Sequence, residues 1–163
     1  MARNRETRPN VEIRLMEALQ QNCDRPNKDL AFDLEIDAST LSRIKDRLEK
    51  EGYIKNYKAV LNPSFFQLGT LAFIRIALSE ADRKHVDATV QFLGSCPEVQ
   101  ELHSIEGEYD MLIKIRVGSN ADVLDFTLNK LTLANNIKDT STMIMLATHK
   151  ETTDIQIRRE PSA

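Results

Sequence analysis

The apolar residues of this chain change period at Gly52, and that change constrains the fold more than any other feature. Before it they recur every three or four residues, as on one face of a helix. After it they alternate residue by residue, as on one face of a strand. From residue 70 onward the two periods interleave in a fixed order. Leu71–Leu78 reads as a strand, Arg83–Gly94 as a helix, Val99–Ile105 and Met111–Val117 as two strands, Ala121–Leu133 as a helix and Asp139–Lys150 as a last strand. That β-α-β-β-α-β order is the split β-α-β pattern of a ferredoxin-like domain. Its helices are expected to turn Val86, Val90 and Leu93, and Val123 or Leu124 with Leu128 and Leu131, towards the sheet. Ahead of the last strand, Asn135 and Asn136 are expected to supply a turn, because Asn tolerates the left-handed backbone region.

The first third reads as three helices. Val11, Leu15, Ala18 and Leu19 mark the first, with Asn10 placed as its N-cap. Pro26 disfavours helix at the residue before it and separates the second, Lys28–Leu34, whose apolar positions are Leu30, Ala31 and Leu34. Glu35, Ile36 and Asp37 form a tight turn, and Asp37 is placed as N-cap of the third helix. There Leu41, Ile44 and Leu48 make one apolar stripe, and Gly52 ends the helix as a residue free to turn left-handed. Tyr53–Leu61 then reads as an extended strand or wing, stopping at Asn62 and Pro63. Three helices with a short turn between the second and third make a helix-turn-helix. The whole is an α+β chain: a winged-type helix-turn-helix over residues 1–54, a linker strand over 55–68 and a ferredoxin-like domain over 69–163.

Bulk composition narrows the function. Apolar residues are 41% of the 163, enough for a core, and the longest apolar run, near Thr142–Ala147, is strand-sized rather than membrane-sized. The Arg-rich start carries no apolar signal core, and Cys23 and Cys96 are single, so a cytoplasmic protein with reduced thiols is expected. Net charge is −3. Residues 1–58 nevertheless carry 12 Lys and Arg against 11 Asp and Glu, while the remainder carries 10 against 14, so a polyanion contact belongs to the first third. Arg3, Arg5, Arg8 and Arg14 add a mildly basic arm.

A recognition helix places its first turns in the major groove. Ser39, Thr40 and Ser42 are short enough to approach bases and phosphates, and Arg43 can reach a guanine bidentately or a phosphate. Lys45 and Arg47 suit phosphates, as does Lys28 at the start of the preceding helix. The bland alternative is a solvated amphipathic helix, since Asp46, Glu49 and Glu51 offset much of this charge. In the second domain, three carboxylates and His103 surround Gly107, but no closed His or Cys ligand set and no nucleophile–base–orienter set is present. The expectation is therefore no metal, no cofactor and no enzyme.

Taken in order, the fragments resemble the Lrp/AsnC transcription regulators. The helix-turn-helix pattern of that family is carried by Leu30-Ala31, Ile36, Ser39-Thr40-Leu41, Arg43, Arg47-Leu48-Glu49 and Gly52-Tyr53-Ile54. Its linker is carried by Tyr57, Ala59, Leu61-Asn62-Pro63 and Leu68-Gly69. The second domain resembles the family's RAM domain through Pro97-Glu98-Val99 and Gly107-Glu108-Tyr109-Asp110. Departures are Glu35 where Gly is common, Asp37-Ala38 for Ser-Pro, the Ile44-Lys45 order, and Ala134-Asn-Asn-Ile137 before the last strand. The resemblance implies a regulator binding double-stranded DNA, dimerising through its second domain and assembling further, commonly to octamers. It also implies a small effector, such as an amino acid, between RAM domains. Ser104, Gly107, Glu108, Tyr109 and Asp110 would line that site with Thr140, Thr142 and Ile144. A carboxylate would take the effector ammonium, and N–H groups near Gly107 its carboxylate. Rival readings are an architectural DNA-wrapping protein without effector, and an effector-sensing protein-interaction module whose helix-turn-helix is degenerate.

Overall fold

The computed structural model describes residues 8–80 and 82–157; Arg3 and Arg5 of the basic arm lie outside them. Two compact units result: residues 8–60 with 151–157, and residues 61–150.

The first unit is three helices, α1 (Arg8–Gln21), α2 (Asn27–Asp33) and α3 (Ala38–Lys50). Leu15, Leu19, Leu30, Ala31, Leu34, Leu41 and Leu48 form its core, with Ile36, Ile44 and Ile54 packed against them. The apolar stripes are those the helical period marks out. α1 starts at Arg8, so Asn10 lies inside the helix and is not its cap. Asp37 occupies the N-cap of α3 with extended backbone, but its side chain accepts no capping hydrogen bond.

The turn between α2 and α3 is a Schellman motif. The Ile36 N–H donates to the Ala31 carbonyl at 3.0 Å and the Glu35 N–H to that of Phe32 at 3.1 Å. The residue between the helix end and Ile36 must then be left-handed, and Glu35 takes φ +55° there. A non-glycine residue costs about 1–2 kcal/mol in that conformation, which the packing of Ile36 offsets. Gly52 closes α3 at φ +77°. Beyond it, Tyr53–Leu61 runs without regular hydrogen bonding, so the strand expected there does not form. The tail returns to α1, where the Gln20 amide brackets Ile155: Oε1 accepts from its N–H at 2.8 Å and Nε2 donates to its carbonyl at 3.1 Å.

The second unit opens with a 3₁₀ turn, Pro63–Phe66, and holds one antiparallel sheet. Its strands are β1 (Thr70–Leu78), β2 (Val99–Ser104), β3 (Met111–Val117) and β4 (Ile137–Ile144), in the spatial order β2-β3-β1-β4. This is the ferredoxin-like arrangement, with α4 (Arg83–Ser95) and α5 (Asn120–Asp125) as its crossover helices. Alternation puts Ala72, Ile74, Ile76 and Leu78 of β1 and Met111, Ile113, Ile115 and Val117 of β3 into the core, beneath Leu93, Val123, Phe126 and Leu131. Full burial of a side chain such as Phe126 contributes roughly 2–3 kcal/mol.

Three expectations change here. Thr89 rather than Val90 faces the core, because its hydroxyl donates to the His85 carbonyl at 2.9 Å and so needs no water. α5 does not run regularly to Leu133. It passes into a π turn at Phe126–Lys130 and a 3₁₀ turn at Leu131–Leu133, which buries Phe126 and leaves Leu124 and Leu128 exposed. β4 stops at Ile144 rather than Lys150.

The turn before β4 also works differently from expectation. Neither Asn135 nor Asn136 is left-handed. Buried Asn136 instead accepts the Glu80 N–H and donates to the Glu80 carbonyl, both at 2.9 Å, while its own carbonyl accepts from the Ser79 N–H at 2.8 Å.

Candidate functional site

The outward face of α3 is formed by the residues that its apolar stripe leaves free. Burying Leu41 and Leu48 turns Ser39, Ser42 and Arg43 fully outward, with Thr40 half-buried at the edge. Arg43 is tethered only lightly, Nη2 donating to Thr40 Oγ1 at 3.3 Å. Asp46, Glu49 and Lys50 continue the exposed face, so its positive character sits at the N-terminal half. Lys28 is exposed in the first turn of α2.

The other two cations behave differently. Lys45 donates to Asn27 Oδ1 at 3.3 Å and lies 5.1 Å above the ring of Tyr57, a cation–π contact. The Tyr57 hydroxyl donates to Glu49 Oε1 at 3.0 Å, and burial together with that carboxylate pushes the phenol up to about 12. The extended segment is therefore fastened to α3 at Tyr57. Arg47 turns inward and pairs with Glu12 of α1, its Nε sealed from solvent without an acceptor. Through Nη2 it braces α3 against α1.

In the second unit the Gly107 hairpin lies between β2 and β3, Gly107 at φ +142° and Glu108 exposed. Its return is pinned to β1. The Asp110 N–H donates to the Ile76 carbonyl at 2.9 Å, and Asp110 Oδ2 accepts from the Leu78 N–H at 2.7 Å. Tyr109 folds over Arg75 of β1, the guanidinium 4.5 Å from the ring centroid. Ser104 ends β2 opposite Met111.

Strand register separates the remaining candidates. Thr140, Thr142 and Ile144 pair with Ile76, Ile74 and Ala72, so they point to the helix-covered side of the β4 edge. Ser141 and Met143 pair with Arg75 and Phe73 and point to the open side. Thr140 stands two strands from the hairpin return, about 10 Å by strand spacing. Within one chain the hairpin therefore meets Arg75 and not the Thr142–Ile144 segment. Arg75 and Ser141 were missed by sequence reasoning. The available signal was a single cation interrupting the otherwise uncharged strand Thr70–Leu78.

Other charged groups of the second unit have structural tasks. On the open face Lys114 is nearly buried and donates to Glu101 Oε1 at 3.0 Å, and this bond lowers the Glu101 pKa. Glu80, Asp82 and His85 bring ligand atoms within 4.8 Å of one another at the start of α4. There Asp82 caps the helix, accepting from the Lys84 and His85 N–H groups, and also holds the His85 ring. That ring contact lowers the Asp82 pKa and raises that of His85. A cleft of about 270 Å³ near Glu98, Gly118 and Lys130 lies away from the hairpin.

Two family models match the chain: the Lrp/AsnC ligand binding domain over residues 71–155 and the MarR family over residues 9–60. The HTH-type transcriptional regulator FL11 of Pyrococcus furiosus is 30% identical over 148 residues, covering 91% of this chain and 95% of the relative. The leucine-responsive regulatory protein of Haemophilus influenzae is 29% identical, covering 87% and 86%. Among solved structures, a transcriptional regulator from Neisseria meningitidis in complex with L-Met superposes with a TM-score of 0.84 at 25% identity, over 90% of this chain and 94% of that one. E. coli AsnC superposes at 0.81 with 24% identity, over 89% and 96%. No described helix is long and apolar enough to cross a membrane. With a three-helix unit whose third helix presents a Ser-Ser-Arg face, and a β2-β3-β1-β4 sheet carrying the Gly107–Asp110 hairpin, the chain belongs to the Lrp/AsnC family of helix-turn-helix transcriptional regulators.

Proposed function

We propose that α3 reads duplex DNA through Ser39, Thr40, Ser42 and Arg43, with Lys28 on a phosphate. The observation that carries this is the split among the cations of α3: Arg43 is exposed and lightly held, while Arg47 is braced against Glu12. Lys45 is held against Asn27 and Tyr57 with donors to spare for a phosphate, and Arg47 is assigned to packing. A short, uncharged first turn followed by a free guanidinium suits base-edge contact, and Arg can bridge two acceptors of one guanine.

The second unit is assigned to effector binding and self-association in the cytoplasm. Support for a small amino-acid effector comes from the Neisseria relative, whose complex holds L-Met. Hairpin residues Gly107, Glu108, Tyr109 and Asp110, with Ser104, form one wall. Thr140, Thr142 and Ile144 of β4 point to the other side of the sheet, so they enter the same site only from a second copy. A dimer, or a larger ring of dimers, then completes it.

A binding titration tests the DNA assignment. Purified protein is mixed with the fragment upstream of its own coding gene and with a scrambled fragment, at two salt concentrations. Tighter binding to the native fragment, weakened by salt and by Arg43→Ala, is the expected result. Absence of binding to either fragment at low salt, with and without added amino acids, refutes it. Equal, salt-sensitive affinity for both fragments instead favours an architectural binder or places the operator elsewhere.

A further inference from the structure

We propose that Arg75 is the carboxylate-binding residue of the effector site. This places the anion of the ligand on the open face of the sheet beneath Tyr109, rather than on the N–H groups around Gly107. It rests on the effector reading above and makes it specific.

Arg75 is a half-buried guanidinium with no carboxylate partner among the described residues. Of its five N–H groups, one at Nη2 donates to Ser141 Oγ at 3.0 Å, and Nε is sealed without an acceptor. The Tyr109 ring covers the guanidinium at 4.5 Å. An aromatic lid of this kind withdraws a cation from water without neutralising it. A desolvated charge lacking a counter-ion is costly, and Arg in such a setting is shaped for two parallel hydrogen bonds to one carboxylate.

The acids near Arg75 on the same face are already committed. Glu101, two strands away in the next row, accepts from Lys114 at 3.0 Å and contacts His103 at 3.4 Å. Asp110 is bound to the Leu78 N–H. Asp139, diagonal to Arg75 through the pairing of Ala77, accepts from the Thr140 N–H at 2.8 Å. The register thus brings a cation, a hydroxyl at Ser141 and an aromatic lid to one point, and none of the described carboxylates reaches it. A free amino acid fits. Its carboxylate would lie on Arg75, and its ammonium would face the exposed carboxylate of Glu108 on the hairpin.

Each of the twenty L-amino acids is titrated into the full-length wild type, with binding read by calorimetry and by thermal stabilisation. The tightest binder is then compared with its primary amide, which lacks the carboxylate charge. Arg75→Gln and Arg75→Lys are measured in parallel, with circular dichroism to verify folding. Loss of the ion pair is expected to weaken binding about ten- to a hundredfold. The amide should lose as much on wild type, and Arg75→Lys should retain part of the affinity. The amide comparison needs no variant, so it decides the matter even where Arg75→Gln fails to fold. An amino acid that binds wild type and Arg75→Gln equally well, or an amide that binds as tightly as the acid, overturns the assignment of Arg75 while leaving the effector reading intact. Failure of every amino acid to bind wild type overturns both. Dissociation of the oligomer on Arg75→Gln without any amino acid binding gives the anion to a second copy and also overturns the assignment.

Discussion

Asn136 offers the sharpest test of how the second unit is held together. Two accounts of this turn make opposite predictions. If the position needs only a residue that tolerates left-handed backbone, Gly is an ideal replacement. The structure instead gives Asn136 an ordinary φ and uses its side chain as a strand partner for Glu80, with two hydrogen bonds of 2.9 Å. These bonds continue the β1–β4 ladder past the irregularity at Ala77 and Leu78. Each contributes about 1 kcal/mol net, and a buried backbone group left without a partner costs about 1–3 kcal/mol more. Glu80 is itself exposed, so water repairs part of that loss. Asn136→Ala should therefore cost about 2 kcal/mol. Asn136→Gly should cost about 0.5–1 kcal/mol beyond that, through greater freedom of the unfolded chain. Asn136→Asp should be at least as damaging as Ala, since it sets a carboxylate oxygen against the Glu80 carbonyl. Urea unfolding followed by circular dichroism measures all three, with an unchanged slope as the check that only stability has moved. A Gly variant within about 0.5 kcal/mol of wild type, beside a damaged Ala variant, would refute the side-chain clamp.

At Glu35, substitution by Gly should relieve the left-handed strain and raise stability by about 0.5–1 kcal/mol, read as a higher melting temperature. Arg47→Met should lower stability by about 1 kcal/mol, discounted for partial exposure, yet leave the salt dependence of DNA binding unchanged. Arg43→Ala should do the reverse, and a lower salt slope in Arg47→Met would contradict the brace. The Asp82–His85 contact gives a pH signature. The raised His85 pKa contributes stability that is present below its ordinary value of 6.5 and is lost as pH rises through the folded value. The depressed Asp82 pKa contributes stability that is present above 3.8 and is lost as pH falls through its folded value. Asp82→Asn should therefore drop the His85 midpoint in an NMR titration and flatten the stability profile between those limits; an unmoved midpoint would show that Asp82 does not hold the ring. Lys28, Arg43 and Lys50, the exposed cations of α2 and α3, should together contribute no more than roughly −3 to the log–log salt slope of one copy, read as the slope lost when all three are replaced by Ala.

The fold was legible because its signal is repeated. Alternation in Thr70–Leu78 and Met111–Val117 specifies which side of each strand is buried, and a one-residue slip would invert all of it. The helices of the first unit were legible for the same reason through Leu15, Leu30, Leu41 and Leu48. What failed were single positions where a local hydrogen bond overrides the pattern. Thr89 displaces Val90 because its hydroxyl is satisfied by its own helix, and Asn136 works through its amide rather than its backbone. The π turn at Phe126–Lys130 rotates Leu128 away from the core, and a shift of one residue in helical phase leaves no trace in composition.

The candidate sites were legible to a different depth. On α3 the sequence shows four cations in eight residues, Arg43 to Lys50, and nothing in their spacing says which of them faces out. Only the partners decide: Glu12 takes Arg47 from a helix 35 residues upstream, and Tyr57 takes Lys45 from beyond the end of α3. The Gly107–Asp110 hairpin was visible as a motif, but its strand partner was not. Thr140, Thr142 and Ile144 carry the polar and apolar groups a ligand would want, whereas the register turns Ser141 to the side where Tyr109 covers Arg75. One residue of alternation puts those two sets on opposite faces. At position 75 of an otherwise uncharged strand the side chain leaves the core, reaches the open face, and among the described residues meets a hydroxyl and an aromatic ring but no carboxylate.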